Sequence, residues 1–134
     1  MSFKHKITFK LTETSENQKE NDLVLPLPVV DYDIQKKLIA GDLIRDTDNL
    51  RLIDVPQTVY GVPKYLFIFA VYTVDNSLIG AVKGKPAPFK VRLNGDAASK
   101  DITSGVLFWG GEVSSLYIET PVTDYIEYQV FLGA

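Results

Sequence analysis

His5 is the single histidine of this 134-residue chain, and there is no cysteine. Nucleophilic catalysis of the Ser-His-Asp kind needs an imidazole to take the nucleophile's proton, so any such site would have to be built on His5. The surrounding run, Phe3-Lys4-His5-Lys6-Ile7-Thr8-Phe9-Lys10-Leu11, argues against it. His5 shares alternate positions with Phe3, Ile7, Phe9 and Leu11, the apolar side of a strand, where an imidazole is a half-buried structural group. Without cysteine there is no thiolate chemistry and no disulfide, and one histidine falls short of a zinc ligand set. No catalytic, cofactor-binding or metal residue is assigned, and the chain is expected not to be an enzyme.

Two other patterns look chemical and fail on spacing. Gly80-Ala81-Val82-Lys83-Gly84-Lys85-Pro86 holds the glycines and lysine of a phosphate-cradling loop. It has one residue too few between the glycines, no Ser or Thr after the lysine to bind a metal, and a proline where a helix should begin. It reads as a Gly/Pro turn. Asp31, Asp33, Asp42, Asp46, Asp48 and Asp54 crowd one region, and oxygen donors suit a hard cation. The calcium-loop spacing is not met, and turns and caps account for these residues. Nothing in the carboxylate spacing favours an acid/base pair for glycoside hydrolysis.

Residues suited to contact are easier to find. Lys4, Lys6 and Lys10 line the polar side of the first strand, where they could meet an anionic surface or block unwanted pairing of a sheet edge. Trp109, beside Gly110-Gly111, could stack on a sugar, anchor a neighbouring subunit or close the end of the core. Pro26 and Pro28 share one parity within DLVLPLPVV, residues 22–30. Neither can donate to a ladder, so this segment is expected to be an edge strand or an extended arm able to lie along a neighbour's sheet.

The elements that must position these residues are mostly strands. KYLFIFAVYTVD, 64–75, is apolar on both parities and predicts a central strand covered on both faces. Phe89, Val91 and Leu93 alternate with Lys90 and Arg92. Ile126, Tyr128, Val130 and Leu132 are expected to point inward from a closing strand over 125–132. Further strands are expected over 102–109 and 112–119, with a weaker one over 78–82 and a short one over 58–60. Residues 12–21 form a polar loop. Ile34 and Leu38, with Asp33 as cap and Gly41 as stop, predict one short helix over 34–40. Residues 43–45 and 50–53 are expected to pair across the turn Asp46-Thr47-Asp48-Asn49. The sum is an all-β chain, an antiparallel β-sandwich or jelly roll with at most one short helix, filling 1–134 as a single domain.

Composition sets the outer bounds. The chain is 46% hydrophobic and 23% charged, ordinary for a globular protein. A net charge of -3 supplies no field for nucleic acid or an anionic membrane, and neither is expected as a partner. Lysines interrupt the N-terminal apolar positions, so no signal peptide is read, and no apolar run is long enough to span a bilayer. The first ten residues carry three lysines and no acid, whereas five acids and no base follow Lys100. Opposed ends of this kind could steer identical subunits head to tail.

The closing segment, GVLFWGGEVSSLYIETPVTDYIEYQVFLGA, resembles the endings of small all-β proteins of tailed or icosahedral phage particles. In those, a strand with a glycine turn precedes a strand like EVSSLYIE, a short Thr-Pro or Asn-Pro link and a closing strand. The resemblance implies a structural virion role, as capsid decoration, fibre base, vertex or tube subunit, assembled in a host cytoplasm. It carries over no site residue. The expected function is therefore a structural subunit that joins copies of itself and other structural proteins through sheet edges and surfaces. The alternative is a carbohydrate-binding sandwich using Trp109, with a glycan as ligand. A small carboxylate hydrolase stands third.

Overall fold

The computed structural model describes residues 3–9, 12–14, 20–22, 29–55 and 61–134. It divides into two compact units, Met1–Ile34 and Gln35–Ala134. The sandwich expected to occupy 1–134 lies in the second.

The first unit holds β1 (Phe3–Thr8), β2 (Thr12–Thr14), β3 (Glu20–Asp22) and β4 (Val29–Ile34). β1 pairs antiparallel with β4, and β2 with β3. Part of the loop expected over 12–21 is thus paired strand, since polar segments can still pair their backbones. Ile7 and Ile34 are buried. Phe3 and Phe9 share Ile7's parity yet stay exposed. Lys10, Pro26 and Pro28 lie outside the described residues, as does the strand expected over 58–60.

The second unit is built from β5 (Lys37–Ile44), a 3-10 turn (Asp46–Asp48), β6 (Arg51–Leu52), β7 (Tyr65–Tyr72), β8 (Phe89–Leu93), β9 (Lys100–Ile102), β10 (Val106–Trp109), β11 (Leu116–Glu119) and β12 (Ile126–Gly133). They form two antiparallel sheets of order β10-β7-β12-β5 and β6-β11-β8-β9. The fold is an all-β antiparallel sandwich. Every connection except β8 to β9 passes from one sheet to the other, as in jelly rolls.

Period-two patterning explains the core. β7 contributes Leu66, Ile68 and Ala70, and β12 contributes Ile126, Tyr128, Val130 and Leu132. From the facing sheet come Phe89, Val91 and Leu93 of β8 with Leu116 and Ile118 of β11. Each buried Val, Leu, Ile or Phe among them contributes roughly 1.5–3 kcal/mol by leaving water. The opposite face of β7 is only half covered: Phe67, Phe69 and Val71 are half-buried, where full burial was expected.

Three other expectations give way. The helix over 34–40 is replaced by the end of β4 and the start of β5. β5 pairs with β12 along its whole length, from Lys37↔Gly133 to Ile44↔Ile126, and a long ladder overrides a single i, i+4 pair. Residues 43–45 and 50–53 do not pair, because the Asp46–Asp48 turn carries the chain from one sheet to the other. The strand expected over 102–109 is two strands in different sheets, broken at Gly105. There φ is +76°, and a Cβ would lie 2.8 Å from Pro86 Cβ and 2.9 Å from Ala87 N. Only glycine combines that conformation with so close an approach.

Candidate functional site

Three places gather polar or exposed side chains. The first is the corner where β5 hands over to β6. Arg51 Nη1 donates to Leu43 O at 2.7 Å and lies 3.5 Å from Asp42 Oδ2, while its Nη2 lies 3.4 Å from Asp48 Oδ2. Asp48 Oδ2 also accepts the Arg45 backbone N–H at 3.0 Å, closing the turn. The Arg51 guanidinium is held more basic than usual, chiefly because the Tyr128 hydroxyl accepts a hydrogen bond from it, with Asp48 and Asp42 adding to the effect. Across the same corner the Arg45 guanidinium stands 4.6 Å from the Tyr125 ring centroid. Asp42 and Asp48, two of the six crowded aspartates, are thus used in a structural junction. Among the described residues no group of three or more acidic or histidine side chains is placed to hold a metal ion.

The second is the end of the sandwich at Trp109. Leu107 and Trp109 turn inward from β10 and pack against the core. The indole N–H donates to Glu112 O at 3.3 Å, and Lys100 Nζ stands 5.8 Å from the ring centroid. A Cβ on Gly111 would sit 3.1 Å from the indole nitrogen, so the Gly-Gly turn folds against the ring edge. Asn94 ties in the neighbouring loop. Its Nδ2 donates to Glu112 O at 2.9 Å, and its Oδ1 accepts the Ser114 N–H at 2.7 Å. Of the three roles open to Trp109, the geometry matches closure of the core.

The third was missed by sequence reasoning, which expected a strand over 78–82. Residues 74–85 instead form a tightly bonded loop beyond β7. Asn76 and Ala81 exchange both backbone hydrogen bonds, at 3.0 and 2.9 Å. Asn76 Oδ1 accepts the Leu78 N–H at 3.2 Å, and Asn76 Nδ2 donates to Asp124 Oδ2 at 2.9 Å. Asp75 Oδ1 accepts the Lys83 N–H at 2.8 Å. The loop's base continues the β7 ladder, with Gly84 N–H donating to Tyr72 O at 2.9 Å. On this frame Leu78 is 95% exposed, Val82 52%, Ile79 48% and Val74 46%. The signal was present in the turn residues Asn76-Ser77 and Gly80 (φ +71°) on either side of Leu78-Ile79.

The sandwich's outward faces differ in character. The β6-β11-β8-β9 sheet turns Lys90, Arg92, Tyr117 and Glu119 outward, with Lys90 Nζ 3.7 Å from Asp101 Oδ1. The other sheet turns out an apolar face. Phe67 lies 4.9 Å from Phe108 between ring centroids, Phe69 lies 6.3 Å from Phe131, and Ile39 and Leu43 extend the row onto β5.

The remaining candidates fall on the first unit. Lys4 stands opposite Asp33, and Lys6 opposite Asp31, across the β1–β4 ladder, so the basic face of β1 is matched by acids on its partner strand. His5 stands opposite Tyr32. Among the described residues no helix is long and apolar enough to cross a membrane. Comparison with protein-family models, curated proteins and solved structures gives no match to this chain.

Proposed function

We propose that the protein is a non-enzymatic structural subunit that works in an assembly of its own copies with other structural proteins, of the kind found in virions as decoration, fibre base, vertex or tube subunits. The observation that carries this reading is the allocation of side chains. Carboxylates and amides are spent on holding loops in place, while aliphatic side chains stand in water on a loop fixed by its own hydrogen bonds. Exposed apolar groups clustered on a rigid frame mark a contact surface. A glycan-binding role draws less support, since the Trp109 indole N–H is engaged by Glu112 and its ring packs on the core.

Sedimentation velocity across a concentration series tests the reading. Association that grows with concentration is expected. A strict monomer at the highest concentration, with no structural partner captured, would overturn it.

A further inference from the structure

We propose that the Val74–Val82 loop forms one half of a head-to-tail contact between copies of this chain, and that its aliphatic tip seats on the outward face of β5 and β12 of the next copy. The inference rests on the assembly reading above and names the surfaces that would carry it.

The loop is built in advance for contact. Its tip is fixed by the paired Asn76–Ala81 backbone bonds and by the Asn76 and Asp75 side chains, so docking orders little chain. Leu78 is 95% exposed, and its gain comes on leaving water. Lys83 and Lys85, both exposed, flank the tip.

Tip-to-tip pairing about a two-fold axis is disfavoured by charge: it would set Lys83 and Lys85 against their own copies, like against like. A different surface must receive the tip.

The outward face of β5 and β12 has the matching properties. Ile39 is 59% exposed and Leu43 44%. Phe131 stands directly opposite Ile39 in the ladder, and Glu127 directly opposite Leu43. This face carries the exposed Glu127 carboxylate at its Leu43 end and Lys37 at the other, so an aliphatic tip with lysines behind it is complemented at the Glu127 end. A contact between two different patches propagates, giving a ring where the rotation closes and a filament where it does not.

The experiment compares the wild-type chain, Leu78→Asp and Ile39→Asp by sedimentation velocity. Both positions are exposed, and circular dichroism checks that the variants keep the strand spectrum. Each variant is expected to weaken association by roughly tenfold or more. Mixed one to one, the two variants are expected to form a heterodimer and nothing larger, because the mixture retains one intact tip and one intact receiving face. A wild-type monomer would sink the assembly reading and this contact together. Wild-type association unchanged in Leu78→Asp would overturn the contact and leave assembly standing. Loss in both variants without rescue on mixing would overturn this pairing of surfaces.

Discussion

Replacing Gly105 by alanine separates two effects that glycine usually hides together. Gly105 has φ +76°, and a Cβ there would meet Pro86 Cβ at 2.8 Å, Ala87 N at 2.9 Å and Ala87 O at 3.0 Å. Gly84 has nearly the same backbone, φ +84°, with nothing within 4 Å of its would-be Cβ. The left-handed conformation costs an L-residue about 1–2 kcal/mol at either site. At Gly84 that is the whole penalty. At Gly105 a carbon must also be accommodated where non-bonded carbons normally stand about 3.5–4.0 Å apart. Two of the three crowded atoms are backbone. The crowded backbone is pinned as well, since Ala70 N–H donates to Gly105 O at 3.0 Å and Ala87 N–H to Ala70 O at 2.9 Å. Overpacking of this kind adds about 1–3 kcal/mol. With a urea m-value of about 2 kcal/mol per molar, Gly105→Ala should unfold at a midpoint some 0.5–1.5 M below Gly84→Ala. Equal midpoints would mean that the crossing of β7, the Pro86-Ala87 segment and the Gly105 turn yields freely, and the steric argument would fail.

Two further substitutions test how the sandwich's corners are held. Thr120 is buried, donates its hydroxyl to Pro88 O at 2.8 Å and accepts the Val122 N–H at 3.3 Å, so Thr120→Val should cost about 1–3 kcal/mol in thermal or urea unfolding. A change below about 0.5 kcal/mol would show that water replaces both bonds. Arg51→Met should cost about 1–2 kcal/mol, mostly by leaving Leu43 O without its donor and Tyr128 without the guanidinium beside it, because half-exposed ion pairs themselves contribute little. Adding Tyr128→Phe should then cost less than it does in the wild type, and strictly additive losses in the double-mutant cycle would contradict the link.

The inward residues of β8 and β12 were legible because each strand has one apolar and one mixed face, and burial follows that parity from Phe89 to Leu93 and from Ile126 to Leu132. β5 was not. Its inward positions Leu38, Ala40 and Ile44 obey period two, but Gly41 and Asp42 interrupt the pattern, and Ile34 with Leu38 satisfies a helix equally well. What decides the matter is the eight-residue ladder with β12, a partner more than eighty positions away in sequence. The split at Gly105 was hidden for a related reason. Ile102, Leu107 and Trp109 are all apolar, and nothing local says that the first faces the core from one sheet and the others from the opposite sheet. The Arg51 junction joins residues of both sheets to the 3-10 turn, so no spacing in the sequence could announce it. Leu78 was missed because a leucine among apolar neighbours reads as core, and only the flanking turn residues betray a loop.

The distribution of polar groups supports the proposed assembly reading. A catalytic site needs ionisable groups that converge on a cleft with their proton affinities tuned apart. Here Asp42 and Asp48 face Arg51, Asp75 holds the Lys83 amide, Asp124 receives Asn76, and Asp101 faces Lys90. Asp42 and Asp48 share one arginine, and the other three are engaged at separate places by a backbone N–H, the Asn76 side-chain amide and a lysine. The exposed aliphatic residues have no such employment. A single exposed leucine is ordinary and explains nothing. Four aliphatic side chains on one hydrogen-bonded loop are a different matter, because every bond that fixes Asn76 and Ala81 also keeps Leu78 from folding back onto the core. A chain that wanted only solubility would place Ser or Lys at such a tip. In the proposed assembly Leu78 leaves water when the apolar outward face of the β10-β7-β12-β5 sheet of another copy takes it up.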